Sequence, residues 1–286
     1  MKRAVGAGGP GAATVGTPSA LASDGTNLFV ADTENRRILV FSTGDMDLSE
    51  NDIVNSATLL PSALAPGTLV TIHATGAAND SEAADSTSDG PLPTQLAGVQ
   101  VYLNGAPLPL VSVSPDEIQA QIPYDLSAGN SGSLYLRSLR DGGTVLMSSA
   151  AAVHFASVSP GIFAVGKMEP RNGLLLHASG EQPEDGGPAK GAPITPDQPA
   201  TAGEKITIWA NGLGFLGSEA AFPVHAMING EPAEVVSARL PRGAVGVYEV
   251  VIALPAHFAN KPEARLQLVQ NSIPSNTVTF PIQVTQ

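Results

Sequence analysis

The sequence of 286 residues contains no cysteine, few charged residues and few aromatic residues. Without cysteine, neither a disulfide nor a thiolate-bound metal can hold the chain together. Charged residues make up 14% and aromatic residues 5%, with a single tryptophan. No apolar run approaches the roughly 18 residues that a membrane-spanning helix requires. The sequence therefore predicts domains held together by packing alone, with no membrane span.

Positive charge is especially scarce. The chain has 14 Lys and Arg residues against 26 Asp and Glu residues, which gives a formal net charge of −12. No cluster of basic residues is large enough to neutralise a row of phosphates, so nucleic acid is not expected as a partner. The same scarcity disfavours binding to an anionic membrane surface.

Glycine and proline are abundant, with 30 and 24 copies, as is typical of short strands joined by many turns. Two segments then carry the same succession of strand patterns. The matched pairs are Val70 and Ile206, Ile72 and Ile208, Val99 and Val224, Leu103 and Ile228, Asn104 and Asn229, Gly105 and Gly230, Ile118 and Val250, Leu134 and Leu266. Because Asn-Gly is a strong hairpin signal, we predict two β-sandwich domains, over residues 43–157 and 158–286.

Residues 17–42 have a different pattern. Two β-rich runs, 28–31 and 38–41, flank a polar turn that contains Asp32 and Arg37. The segment resembles an NHL repeat, the blade unit of a β-propeller, so we predict a blade fragment over residues 1–42. In this interpretation Asp32 and Arg37 support the turn.

A single propeller blade cannot bury both of its faces, because repeat units rely on stacked neighbours. We therefore predict that the apolar residues of the blade pack against the first sandwich or against another chain, or else that the blade is disordered. The interface candidates are Leu28, Val30, Ile38 and Val40.

A wider resemblance covers residues 53–286. Its motifs lie at residues 53–57, 65–72, 91–99, 104–107, 118–123, 159–163, 212–214, 229–230 and 247–250. In this order they resemble the uncharacterised Solibacter-type C-terminal domain family of large exported acidobacterial proteins. The resemblance implies an all-β fold of tandem immunoglobulin-like (IPT/TIG-like) sandwiches, an extracellular or cell-surface location, and no assigned activity. Family members often carry propeller repeats upstream, in agreement with the blade fragment.

No catalytic constellation stands out. The five histidines lack the spacing of a zinc site, and no G-x-S-x-G motif is present. We predict no catalytic residue, no cofactor and no metal site. The weak calcium candidates are Asp80, Glu82, Asp85 and Asp89, in an acidic loop whose spacing departs from that of an EF-hand. A solvated surface loop is the favoured interpretation of this segment.

Trp209 is predicted to lie outside the core. Ile206, Ile208 and Ala210 alternate as the core face of one strand, so Trp209 points the other way, as His73 does in the first sandwich. It either lies under the loop of residues 180–198 or contacts a partner. An exposed aromatic residue is a common interface anchor, so Trp209 is a further interface candidate.

These observations favour a non-catalytic extracellular scaffold or adhesion segment of a larger exported bacterial protein. Sheet edges with few charged guards favour self-association, with another copy or with upstream propeller blades as the partner. A carbohydrate- or polymer-binding module is the alternative, although a lone Trp argues against the usual aromatic sugar platforms. A hydrolase whose site carries no recognisable motif ranks third.

The acidic loop is expected not to hold a structural metal ion. Its irregular ligand spacing and its content of Ser, Ala and Gly favour solvent over calcium coordination. Thermal unfolding curves recorded with calcium and with a chelator should therefore coincide. A rise of several degrees in the melting temperature on adding calcium would contradict this interpretation.

Overall fold

The computed structural model describes residues 16–23, 27–42, 46–85, 90–140, 145–166, 168–178, 191–217, 219–258 and 261–283. These residues form strands and loops with one 3-10 helix, Glu50–Asp52, so the predicted all-β class is confirmed. Nowhere in the described ranges is there a helix long and apolar enough to cross a membrane.

The strands of the described residues are short and numerous. In chain order they are β1 (Pro18–Ser23), β2 (Asn27–Asp32), β3 (Arg37–Ser42), β4 (Ile53–Asn55), β5 (Leu69–His73), β6 (Glu82–Ala83), β7 (Val99–Leu103), β8 (Ala106–Pro107), β9 (Leu110–Val113), β10 (Glu117–Gln121), β11 (Ser131–Leu139), β12 (Val145–Met147), β13 (Ala151–His154), β14 (Gly161–Ile162), β15 (Ala164–Val165), β16 (Arg171–Gly173), β17 (Leu175–His177), β18 (Lys205–Asn211), β19 (Val224–Ile228), β20 (Glu231–Arg239), β21 (Val247–Ala253), β22 (Glu263–Gln270), β23 (Ile273–Pro274) and β24 (Val278–Pro281).

The strands form three sheets. The first has the order β1-β2-β3-β12-β11-β7-β8, and β13 also pairs with β11. The second has the order β4-β5-β10-β9-β6. The third has the order β14-β18-β21-β20-β19-β22-β24-β16-β15, with β17 on β18 and β23 on β22. The first two sheets make up the first sandwich and its N-terminal extension, and the third forms the C-terminal sandwich.

The alternation that predicted the first sandwich is present in its strands. In β7 and β11 the buried residues are every second one, such as Val99, Val101 and Leu134. The chain turns after β7 at Asn104-Gly105, where both residues have positive φ, and the same dipeptide turns after β19. Positive φ at both positions is the geometry of a type I′ turn, which Asn-Gly favours. The predicted hairpins are therefore confirmed.

Strands β1 to β3 form an antiparallel three-stranded unit, which we call the N-terminal strands. Strand β3 then pairs in parallel with β12 of the first sandwich. Val30 and Leu39 lie opposite each other in the register and are buried with Val145, and Met147 packs against them. The N-terminal strands thus obtain a neighbour from the first sandwich, as their apolar content predicts. The propeller origin of these strands stays a prediction.

The turn between β2 and β3 is built around one buried carboxylate. Asp32 accepts hydrogen bonds from Asn35, from the amide of Gly16 and from Arg37, whose Nε lies 2.9 Å from Oδ2. Desolvation is the largest influence and raises the pKa of Asp32, but these hydrogen bonds and the charge of Arg37 outweigh it. The net effect is a pKa below the usual value. The structural role predicted for Asp32 and Arg37 is confirmed.

One strand, β20, belongs to both layers of the C-terminal sandwich and connects them. The first residues of β20 pair with β19, and the later residues pair with β21 after an irregularity between Val235 and Ser237. Side chains from β18 and β21 meet those from β19, β22 and β24 in one core, with Tyr248 and Phe280 among its largest members. A bulge of this kind bends a strand and allows it to change sheets.

Contacts group the chain into two compact units. One contains Met1–Ile53, Thr71–Gln121 and Ser131–Val153, and the other contains Val54–Val70, Ile122–Asn130 and His154–Gln286. Three segments that the sequence assigned to the first sandwich, residues 54–70, 122–130 and 154–157, therefore group with the C-terminal sandwich. The domain boundaries drawn at residues 42/43 and 157/158 stay a prediction.

Replacing Asp32 with Asn is expected to expose the N-terminal strands to proteases. The change removes the charge that Arg37 pairs with, and it leaves a buried guanidinium without its counter-ion. Limited proteolysis followed by mass spectrometry should show several-fold faster cleavage within residues 16–42. Glu34→Gln is the matched control, because that carboxylate is exposed in the same turn.

The same site predicts an acid dependence. Because the folded pKa of Asp32 lies below its unfolded value of about 3.9, its stabilisation is present above that value and is lost as pH falls through the folded pKa. Pepsin should therefore cleave residues 16–42 of the wild type faster as pH falls below about 4, whereas Asp32→Asn should show little such change. Equal acid responses of the two proteins would contradict this role.

Candidate functional site

Trp209 lies on the outer side of β18. Ile206, Ile208 and Ala210 are fully buried in the core of the C-terminal sandwich, whereas Trp209 between them stays partly exposed. The predicted position of Trp209 outside the core is confirmed, and His73 is likewise exposed at the end of β5. Not every part of the alternation in β5 holds, because Leu69 and Thr71 are buried as well as Val70 and Ile72.

Trp209 lines a cavity of about 750 Å³, which we call the Trp209 groove. Its apolar walls include Leu174, Leu176, Pro193, Pro196, Pro262 and Pro281. Pro193 and Pro196 belong to the stretch of residues 180–198 that the sequence placed over Trp209, and residues 179–190 lie outside the described part. The volume falls within the range of small-molecule pockets, which are mostly apolar with a few placed polar groups.

Two polar groups stand at the Trp209 groove in defined positions. The hydroxyl of Thr279 donates to Oδ1 of Asn172 at 3.0 Å, and Asn172 is an exposed residue that lines the groove. Glu263, at the start of β22, contributes an exposed carboxylate. The groove therefore combines a large apolar surface with one fixed amide and one acid.

A second cavity, of about 810 Å³, adjoins the first, and we call it the Arg265 groove. The two share Pro262 and Glu263, and the second also contains Lys261 and Arg265. Glu263 and Arg265 alternate with buried residues along β22, so both side chains lie on the outer face. Neither Lys261 nor Arg265 forms a side-chain hydrogen bond or ion pair with another described residue.

A buried amide network lies at the far end of β18. The Asn211 side chain accepts from the amide of Leu69 at 3.0 Å and donates to the carbonyl of Leu69 at 2.8 Å. It also donates to Oδ1 of Asn55 at 3.2 Å, while Nδ2 of Asn55 donates to the carbonyl of Ser159 at 2.8 Å. These bonds hold residues 54–70 on the C-terminal sandwich.

Arg171 extends this buried network. Its Nη2 donates to the carbonyl oxygens of Ala57 and Thr58 at 3.0 and 2.7 Å, and its Nε donates to Glu169 at 2.7 Å. Sequence reasoning singled out none of these polar residues. The one signal in the sequence was the Asn-Gly pair at residues 211–212. Gly212 has a positive φ, and the carbonyl of Ser159 leaves no room for a side chain there.

His177 is buried and has a carboxylate partner. Its Nδ1 lies 3.2 Å from Glu204, and its Nε2 lies 3.3 Å from the carbonyl of Gln198. Thr201 donates to the same Glu204 carboxylate. Both ring nitrogens are therefore engaged by the loop that precedes β18, and the arrangement fastens that loop.

Tyr248 closes the core of the C-terminal sandwich beneath the β18–β19 loop. Its hydroxyl donates to the carbonyl of Gly214. Desolvation, followed by the nearby Tyr124, raises the pKa of Tyr248 well above its usual range. The phenol therefore stays protonated and acts as a structural donor.

The described carboxylates of the acidic loop lie on the surface. Asp80, Glu82 and Asp85 are exposed, and the amide of Ala97 donates to Glu82, whereas Asp89 lies outside the described residues. Among the described residues, no three His, Asp or Glu side chains are placed to hold a metal ion together. The absence of calcium stays a prediction.

Among the interface candidates of the N-terminal strands, Val30 is buried and Leu28 is half-buried, but Ile38 is 52% exposed. Leu39 takes the buried position in β3, because it lies opposite Val30 whereas Ile38 lies opposite Ala31. The side chain of Val40 lies outside the described part. Ile38 therefore faces away from the packed side of the unit.

No protein-family model matches this sequence, and no curated protein is significantly similar to it. The resemblance to a Solibacter-type domain and to an NHL repeat therefore stays an expectation from the motifs.

Replacing Asn211 with Ala is expected to destabilise the C-terminal sandwich by about 1–3 kcal/mol. The change leaves the buried main-chain N–H of Leu69 without its acceptor, whereas the Leu69 carbonyl keeps the amide of Ser56 as a donor. Trp209 is the single tryptophan, so its fluorescence reports the unfolding of this sandwich in a denaturant titration. Asn51→Ala, an exposed position in the 3-10 helix, is the control and should change the midpoint little. Equal midpoints for the two variants would contradict a supporting role for Asn211.

Proposed function

We propose that the protein is a non-catalytic scaffold or adhesion segment that associates through the open edge of its first sheet. The observation that supports this proposal most directly is the state of β1. Strand β1 pairs with β2 on one side, and no described strand pairs with it on the other. All six of its residues are exposed, and Leu21 is 67% exposed.

An edge strand of this composition is adhesive. Unpaired N–H and C=O groups along an edge form a template for another strand, and natural proteins usually guard such edges with charged residues. Residues 18–23, Pro-Ser-Ala-Leu-Ala-Ser, contain no charge and one proline at the start. Strand addition already occurs within the chain, because β3 of the N-terminal strands pairs with β12 of the first sandwich. A second copy, or an upstream propeller-type repeat, fits the same edge by strand addition.

A non-catalytic role agrees with the state of the titratable side chains. His177, Glu204 and Asp32 are each committed to structural hydrogen bonds. The grooves on the C-terminal sandwich hold Glu263, Lys261 and Arg265 without a histidine among their lining residues. The extracellular or cell-surface location is part of this proposal and follows from the motif resemblance alone.

A second candidate function is the binding of a carbohydrate or another polymer at the Trp209 groove. Its support is the partly exposed Trp209 in one groove with the exposed amide of Asn172 and the carboxylate of Glu263. The apolar ring offers a stacking surface, and the polar groups offer hydrogen bonds. This function and edge association use different surfaces, so one chain can carry both.

Edge association predicts concentration-dependent assembly that a single edge charge weakens. Sedimentation velocity over a range up to about 100 µM should show wild-type oligomers. Leu21→Lys should weaken the assembly by about tenfold or more, because a lysine guards the edge. Ile38→Lys is the matched control, since Ile38 is exposed in the same unit but its strand is paired on both sides.

Three outcomes separate the explanations. Loss of assembly in Leu21→Lys with assembly retained in Ile38→Lys supports the edge. The reverse pattern shows that the exposed face of the N-terminal strands, and not the edge, makes the contact. A wild type that stays monomeric throughout the range overturns self-association.

A further inference from the structure

The Trp209 groove and the Arg265 groove together form one elongated surface. They meet at Pro262 and Glu263, and both are lined by residues of the C-terminal sandwich. Each cavity alone already lies in the range of a small-molecule pocket. A ligand that occupies both is therefore extended, and a polymer segment fits better than a compact metabolite.

Most of the main chain beneath the grooves is already paired, which disfavours a peptide that binds by strand addition. Strand β22 is paired with β19 and β24, and β24 is paired with β22 and β16. On β17, which pairs with β18, the free side is occupied by residues 192–194 through the amides of His177 and Ile194. The edge strand β15 contributes Val165 at the Trp209 groove. The described strands that carry Trp209, Glu263 and Arg265 are paired on both sides, so the ligand is recognised mainly through side chains.

The side chains along the surface suit a hydroxyl-rich ligand. Glu263, Arg265 and Gln267 follow one another on the outer side of β22 at every second residue, about 7 Å apart. Carboxylate, guanidinium and amide groups accept from or donate to hydroxyls in turn. Trp209 adds a flat apolar surface at the other end, against which the C–H face of a sugar ring can pack.

The charge of the surface adds a further requirement. Lys261 and Arg265 lie together without an ionic partner among the described residues, on a chain of net charge −12. A guanidinium binds a carboxylate through two parallel hydrogen bonds. From these observations we propose that the two grooves bind a polysaccharide whose sugars carry carboxylates, with Lys261 and Arg265 on the acid groups and Trp209 under a sugar ring. This proposal rests on the polymer-binding function and names its ligand.

Isothermal titration calorimetry with the whole chain tests the proposal. The probe is a galacturonate oligosaccharide, and the comparison is a neutral galactose oligosaccharide of the same length. Binding of the galacturonate probe is expected to exceed that of the neutral probe by about tenfold and to weaken as salt is raised. Lys261→Gln combined with Arg265→Gln should remove this preference.

Two further variants keep the result interpretable. Trp209→Ala should weaken both probes by about tenfold, with a melting temperature within a few degrees of the wild type because Trp209 lies outside the core. Arg239→Gln removes an exposed arginine elsewhere on the sandwich and should leave binding unchanged. If Arg239→Gln matches the double variant, general charge and not the groove attracts the probe, and the proposal fails.

The remaining outcomes distinguish the ligand class from the function. Equal binding of the two oligosaccharides, lost in Trp209→Ala, overturns the acidic ligand and keeps polymer binding. Binding of neither probe, together with binding of a proline-rich peptide at the same groove, replaces the polysaccharide with a protein partner. No binding of any probe overturns both this proposal and the second candidate function, and it leaves edge association to its own test.

Discussion

The hydrogen bonds between the Asn211 side chain and the main chain of Leu69 are the constraint on which the C-terminal unit depends. A strand that ends inside a protein leaves polar main-chain groups that must find partners, since each unpaired buried group costs about 1–3 kcal/mol. The carboxamide of Asn211 supplies a donor and an acceptor at once, so one side chain contacts both main-chain groups of Leu69, and the Leu69 carbonyl also accepts from the amide of Ser56. Asn55 and Arg171 repeat this solution at neighbouring carbonyls. Residues 54–70 are thereby built into a unit that the sequence order alone would not assign to them.

Hydrophobic alternation predicted the strands and the core because it depends only on neighbouring residues. Val70, Ile206 and Leu134 are buried where the period of two placed them, and Trp209 is excluded from the core for the same reason. The buried amides could not be predicted in this way. The partner of Asn211 lies 142 residues away, and no local pattern records which backbone group a polar side chain will meet. The burial of Leu69 and Thr71 on the outer side of β5 has the same origin, because cover from elsewhere in the fold overrides alternation.

The N-terminal strands show how a small difference in register changes the face that packs. Sequence reasoning named Val30 and Ile38, but cross-strand partners share a face, and the partner of Val30 is Leu39. Strand β3 has apolar residues at consecutive positions, so both of its faces are apolar and alternation does not show which face is buried. Whether Ile38 or Leu39 is buried depends on the register that the turn sets. The turn is set by Asp32, which gathers Asn35 and Arg37. A polar contact therefore decides which apolar side chain meets the sandwich.

The candidate surfaces arise where the sheets stop being regular. The short strand β16 pairs with β24 and the next strand, β17, pairs with β18, so the chain leaves β24 for β18 between Gly173 and Leu175. This crossing leaves the Trp209 groove beside β18, β22 and β24, which are each paired on both sides. Strand β1, by contrast, has a satisfied side and an open side. Side-chain recognition thus suits the groove and main-chain recognition suits the edge, because each surface can use only the groups that the fold leaves unpaired.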